Sequence, residues 1–172
     1  MMEVIKENPM REILLEKVVI NLGIGESGER LQRAEKMLSA LVGQKPATTI
    51  AKKTIKNFGI RKKEKIGLKV TLRGEKAMEF LKRALKVKEM RLSRKSINAG
   101  NFSFGIAEHI DLPGVEYDPD IGIFGMDVCV SLRRRGYRVA ERRIRNSKVG
   151  SSHRITKEET IRWLESLGVV VE

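Results

Sequence analysis

The chain has 172 residues, long enough for one domain with a real core and short for a cofactor domain joined to a substrate domain. Its 35 Lys+Arg outweigh 22 Asp+Glu to give a net charge of +13, which favours a polyanionic partner, nucleic acid foremost. No apolar run approaches the length that spans a bilayer, and Glu3, Lys6, Glu7, Arg11 and Glu12 stand where a signal peptide carries its apolar core, so neither a membrane protein nor an exported one is expected.

After a polar lead, "KVVINLGI" at 17–24 predicts a strand. Its period of two groups Val18, Ile20, Leu22 and Ile24 opposite Lys17, Val19, Asn21 and Gly23. Gly23, Gly25 and Gly28 then lead into a predicted helix over 28–42, where Leu31, Ala34, Met37, Leu38 and Leu41 form one stripe and Gly43 sits at the expected left-handed cap. Strands are predicted at 47–52 and 65–73, on either side of a basic loop at about 52–65. In "KIGLKVTLR" the alternation gives a dry face of Ile66, Leu68, Val70 and Leu72, and a cationic, hydrogen-bonding face of Lys65, Gly67, Lys69, Thr71 and Arg73.

"GEKAMEFLKRALK" reads as a second amphipathic helix. "NFSFGIAEHI" has the alternation of a strand in Phe102, Phe104 and Ile106, and "GMDVCVSL" is another strand. A basic segment runs over about 133–154. The last helix is expected to begin at Thr156, whose spacing to Glu159 is that of a capping box, with Ile161, Trp163, Leu164 and Leu167 turned inward. Cys129 has no partner in the chain, and between Val128 and Val130 it is expected to be a small buried apolar residue in a reducing compartment.

A strand, three glycines and a helix follow the order of a dinucleotide-binding fingerprint. That site also needs an acidic residue about twenty positions on to hold the ribose. Here the region reads "TTIAKK", where Lys52 or Lys53 is positioned for a 2′-phosphate at best. A tight strand-to-helix turn, a nucleic-acid phosphate at the helix N-terminus, and a dinucleotide enzyme all fit the glycines, the last as the alternative function. Other catalytic signals are sparse. His109 and His153 lie far apart and outside ligand spacing, "GIGESGE" is not a nucleophile elbow, and Pro113, Gly114 and Pro119 make "DLPGVEYDPD" a turn-rich connection rather than a carboxylate site. His153, inside a basic loop, is expected to meet phosphate or solvent. No metal or cofactor is expected.

The basic loops point elsewhere. Between Lys52 and Lys65 the chain carries Lys53, Lys56, Arg61, Lys62 and Lys63 against Glu64 alone, with Phe58 and Gly59 at the middle. Such a mobile hook meets phosphates by charge, while Phe58 either stacks on a base or tucks back as an anchor. In the second segment Arg133, Arg134, Arg135, Arg138, Arg142, Arg143, Arg145, Lys148 and Arg154 face one acid, Glu141, so phosphate contacts and poor order without them are expected. A sheet with helices on one side and amide, hydroxyl and guanidinium groups on the other suits RNA.

"EKVVINLGIGES", "GQKPATTIAKKTIKNFGIRKKEKIGLKVTLRG", "GNFSFGI" and "DPDIGIFGMDV", in this order from Asn8 almost to the C-terminus, resemble the 5S-rRNA-binding family numbered five among the proteins of the large ribosomal subunit. "SLRRRGYRVAERRIRNSKVGSSHRITKEETIRWL" is similar to the archaeal and eukaryotic form, and the short N-terminus favours archaea. The resemblance implies a single domain over 1–172 with a two-layer α+β fold, a mainly antiparallel sheet with helices packed on one face. It implies a non-enzymatic constituent of the cytoplasmic ribosome that anchors 5S rRNA in the central protuberance. The implied 5S contacts are Asn21, Gln44 and Thr71, beside which Lys45, Lys69 and Arg73 are the candidate phosphate contacts. The implied loop toward P-site tRNA carries Lys56, Asn57, Phe58, Arg61, Lys62 and Lys63. Large-subunit rRNA, neighbouring ribosomal proteins and the small-subunit head are the other implied partners.

Overall fold

A computed structural model of the chain describes residues 8–115, 118–119 and 121–172. Glu3, Lys6 and Glu7 of the polar lead lie outside the described residues, as do Glu116, Tyr117 and Asp120 of the turn-rich connection. Six strands form one sheet: β1 (Ile13–Gly23), β2 (Ala47–Ile50), β3 (Lys65–Leu72), β5 (Ile97–Asn98), β6 (Asn101–Ile106) and β7 (Met126–Arg134). Their order is β2-β3-β1-β7-β6-β5, and every neighbouring pair is antiparallel. β4 (Arg91–Leu92) and β8 (Val170–Val171) pair in parallel as a separate two-stranded piece.

The alternation in the strands decides which face is covered. Val18, Ile20 and Leu22 of β1, Leu68, Val70 and Leu72 of β3, and Val128, Val130 and Leu132 of β7 are all buried on one side. The helices α1 (Glu29–Val42) and α2 (Gly74–Val87) place Leu31, Ala34 and Leu38, and Phe80, Leu81 and Leu85, against that side. Each large apolar side chain among them contributes about 1.5–3 kcal/mol on leaving water, so the covered face carries most of the fold's stabilisation. α4 (Lys157–Ser166) packs on β5, with Trp163 partly buried 6.3 Å from the Phe102 ring, as expected of a core residue. The result is a two-layer α+β fold with a mainly antiparallel sheet.

Two glycines have a geometric reason. Gly43 ends α1 at φ 65°, its N–H bonded to the Ser39 carbonyl. A Cβ on Gly67 would lie 2.6 Å from the Leu22 carbonyl oxygen and 2.8 Å from Thr49 Oγ1, so only glycine lets β3 sit this closely between β1 and β2.

Several expectations are corrected by tertiary pairing. β1 starts at Ile13, not residue 17, because 13–15 pair with 132–134 of β7; a register shift between Leu15 and Lys17 then leaves Glu16 as a bulge. β6 ends at Ile106, and His109–Asp111 form a 3-10 turn rather than more strand. Cys129 is exposed, not buried, since Val128 and Val130 take the covered side and strand neighbours point oppositely. Within the basic segment, Arg133 and Arg134 close β7, and α3 (Arg138–Glu141) follows.

Candidate nucleic-acid interface

The uncovered sheet face is laid out in cross-strand rows. One runs Ala47, Lys69, Asn21, Asp127, Gly105; the next Thr71, Val19, Cys129, Ser103; a third Lys17, Ser131, Asn101. Strands stand about 4.8 Å apart, and the small side chains at most of these positions leave the floor shallow. Lys69 is exposed, while Asn21 and Thr71 are half-buried. The Asn21 amide and the Thr71 hydroxyl make no hydrogen bond within the described residues, so both remain available to a partner.

Gln44 joins this patch from the turn after α1, its Nε2 donating to the Thr71 carbonyl at 3.5 Å, and Lys45 beside it is exposed. The fold thus gathers Asn21, Gln44, Lys45, Lys69 and Thr71 from separate chain segments. Arg73 stands at the end of the face, where Glu16 holds its guanidinium at 3.7 Å, Lys17 at 3.6 Å, and accepts from Ser131 Oγ at 3.1 Å. Sequence reasoning missed Glu16. The bulge that turns it onto the cationic face is invisible to a strict period of two.

The loop between β2 and β3 folds as a braced hairpin. Ala51 N–H donates to the Glu64 carbonyl and Lys63 N–H to the Ala51 carbonyl, both at 2.8 Å, while Ile55 and Ile60 form a two-way bridge. Lys62 N–H donates to Thr54 Oγ1 at 3.0 Å, and Gly59 at φ 67° closes the 3-10 turn Lys56–Phe58. Phe58 therefore does not tuck back: it is 74% exposed at the tip, with Lys56, Asn57, Arg61, Lys62 and Lys63 exposed around it.

At the hairpin's base, the Arg61 N–H (2.8 Å) and then the Ser27 hydroxyl (2.7 Å) hold the Glu64 carboxyl below the usual range. Ser27 lies between Gly25 (φ 80°) and Gly28 (φ 109°), whose left-handed backbone turns the chain sharply on either side of it. The Ile24 and Gly25 amides both donate to the Ile66 carbonyl, so the glycines build a turn that props the hairpin, and those two donors are engaged within the protein.

In the 133–154 segment the structure separates surface cations from one structural arginine. Arg134, expected at a phosphate, has a side chain only 5% exposed; its Nη2 donates to Glu159 at 2.6 Å and its Nη1 to the His153 carbonyl at 3.3 Å. It cannot reach RNA without breaking the fold. Arg135, Arg138, Arg142, Arg143, Arg145 and Lys148 are exposed and Arg133 is half-buried, with Arg135 also paired to Glu12 at 3.0 Å.

His153 likewise departs from expectation. Its Nε2 lies 2.9 Å from the Arg135 carbonyl and its ring meets Tyr137 edge-on at 5.8 Å. The Tyr137 hydroxyl donates to the His153 carbonyl and accepts from Ile155 N–H. Thr156 and Glu159 exchange the bonds of a true capping box. His109 is buried, and its Nδ1 accepts the Phe124 N–H at 3.3 Å; desolvation lowers its pKa, so it is a neutral core residue. Among the described residues, no three His, Cys, Asp or Glu converge as metal ligands, and no helix is long and apolar enough to cross a membrane.

A family model described as ribosomal protein L5 matches residues 8–61, and a second, describing the C-terminus of the same ribosomal family, matches residues 65–163. The large ribosomal subunit protein uL5 of Archaeoglobus fulgidus is 74% identical over 166 residues, covering 96% of this chain and 93% of its own. The proteins of that name from Sulfolobus acidocaldarius and Tetrahymena thermophila are 50% and 53% identical, over 96% and 94% of this chain and 93% and 94% of theirs. By its two consecutive model matches and by identities of this size over nearly its whole length, the chain belongs to the ribosomal protein L5 family.

Proposed function

We propose that the chain is a structural, non-enzymatic constituent of the large ribosomal subunit that binds 5S rRNA through the open sheet face and helps anchor it in the central protuberance of the cytoplasmic ribosome. The observation that carries this reading is the gathering of Gln44 with Asn21 and Thr71, whose side chains are unpartnered among the described residues, beside Lys45, Lys69 and Arg73, on the sheet side away from α1 and α2. Neutral groups read RNA shape and register, and the cations supply affinity through phosphates. The hydrogen-bonded hairpin presents Phe58 among Lys56, Asn57, Arg61, Lys62 and Lys63 to the P-site tRNA, offering a ring to stack and charges to neutralise. Arg133, Arg135, Arg138, Arg142, Arg143, Arg145 and Lys148 meet further rRNA phosphates, and neighbouring ribosomal proteins and the small-subunit head complete the surroundings. A dinucleotide enzyme is disfavoured, because the turn's first amides are engaged by Ile66 and no acid follows to hold a ribose.

The test is a salt series of 5S rRNA binding against random duplex competitor. Thr71→Val removes one hydroxyl, about 1 kcal/mol or roughly fivefold in Kd, at unchanged salt slope. Lys69→Ala lowers the slope by about 1. Equal slopes for the two variants, or no preference for 5S rRNA, would refute the reading.

A further inference from the structure

The open face does not end at a bare rim. Where β6 and β7 meet the basic segment, a cleft of about 540 Å³ opens between Asn101 and Ser131 on the sheet and Ala140, Lys148, Val149 and Arg154 on the segment. It adjoins a smaller groove of about 380 Å³ that shares Asn101 and Ser131 and is lined further by Val19 and Cys129. The wall is braced: Asn146 Nδ2 donates to the Ala140 carbonyl at 2.7 Å, Ser147 N–H to the Val139 carbonyl at 3.1 Å, and the Tyr137 hydroxyl ties 153 to 155. These bonds tie the segment's backbone to itself along the wall of the cleft.

Three features fix the chemistry of an occupant. Ala140 and Val149 give an apolar wall, the Asn101 amide has no partner among the described residues, and Lys148 and Arg154 are exposed cations. The one carboxylate, Glu16, is already engaged by Arg73, Lys17 and Ser131, so it neither repels an anion strongly nor needs a new partner. An apolar slot with one amide donor and acceptor, bordered by cations, matches a nucleobase with its phosphate. The volume falls within the range of about 300–1,000 Å³ typical of small-ligand pockets.

We propose that this cleft receives a single nucleotide splayed out of the RNA that lies on the open face. Its base packs on Val149 and Ala140, its edge pairs with the Asn101 side chain, and its phosphate is met by Lys148 and Arg154. Unstacked bases in loops and bulges are what proteins read in RNA, and unstacking costs least where the base is already unpaired. The inference rests on the open face being the 5S rRNA surface.

The experiment is base-edge chemical probing of 5S rRNA, free and bound, with wild-type protein, Asn101→Ala and Ala140→Phe. Ala140 is exposed on a short helix, so phenylalanine there fills the cleft without entering the core. Circular dichroism and retained Thr71-dependent binding report that each variant is folded. The expected result is one or two nucleotides protected by wild-type protein whose protection is lost in both variants, with affinity down about tenfold and the rest of the footprint intact. A wild-type footprint unchanged in both variants overturns the cleft alone. Failure of the wild-type protein to footprint 5S rRNA at all overturns the reading beneath it.

Discussion

Arg134 shows how a residue read as a phosphate contact becomes part of the core. Its guanidinium lies between the end of β7 and the first turn of α4, bonded to Glu159 and to the His153 carbonyl, and its Nε is buried with no partner among the described residues. Arg134→Ala loses a charge-assisted hydrogen bond, about 1.5–3 kcal/mol, and the burial of its methylene stem, about 0.8 kcal/mol for each CH₂ removed. Relief of the desolvated guanidinium offsets part of this. Glu159 is about a third exposed and keeps its bond from the Thr156 N–H, so the loss stays at the lower end of the range for a broken buried pair. We expect about 3 kcal/mol, which for a chain of this size lowers Tm by about 6–12 °C.

Thermal unfolding followed by circular dichroism measures that loss, and a double-mutant cycle with Glu159→Gln isolates the pair. The same Arg134→Ala protein, below its melting temperature, should bind 5S rRNA with an unchanged salt slope, because the side chain meets no phosphate. A wild-type Tm together with a slope reduced by about 1 would show that Arg134 lies on the RNA after all, and the buried-pair argument would be wrong.

Two further outcomes follow from the same geometry. The Thr156 N–H first, and then Arg134, lower the pKa of Glu159 from its ordinary 4.5; a depressed folded pKa adds stability that is present above that ordinary value and lost as pH falls through the folded one, so acid unfolding profiles should be flatter below about pH 4.5 for Glu159→Gln, which keeps the cap but not the charge. A profile parallel to wild type would contradict this. Cys129, exposed in the row that also holds Thr71, should react readily with a maleimide in free protein and be protected in the 5S rRNA complex; equal labelling with and without RNA would take the open face out of the interface.

The strands and helices were legible because hydrophobic periodicity is local. "KIGLKVTLR" alone separates Leu68, Val70 and Leu72 from Lys69, Thr71 and Arg73, and burial follows that division. Thr156 and Glu159 announce the start of α4 by spacing alone. The net charge and the family resemblance direct attention to RNA before any coordinate is known. The exposure of Cys129 follows from the same alternation, because its flanking valines are strand neighbours that point the other way.

What spacing could not supply depended on contacts between distant segments. Asn21, Gln44 and Thr71 come together only because β3 pairs with β1 and the turn after α1 lies against Thr71. Among a run of arginines, only the meeting of β7 with α4 marks Arg134 as buried while its neighbours face solvent, and the bulge at Glu16 emerges from a register that two strands set jointly. Composition makes a chain cationic and alternation gives each strand two sides. Which charges stay in water is decided by long-range pairing, since the penalty for burying a charge is tolerable only where a partner from elsewhere in the chain meets it.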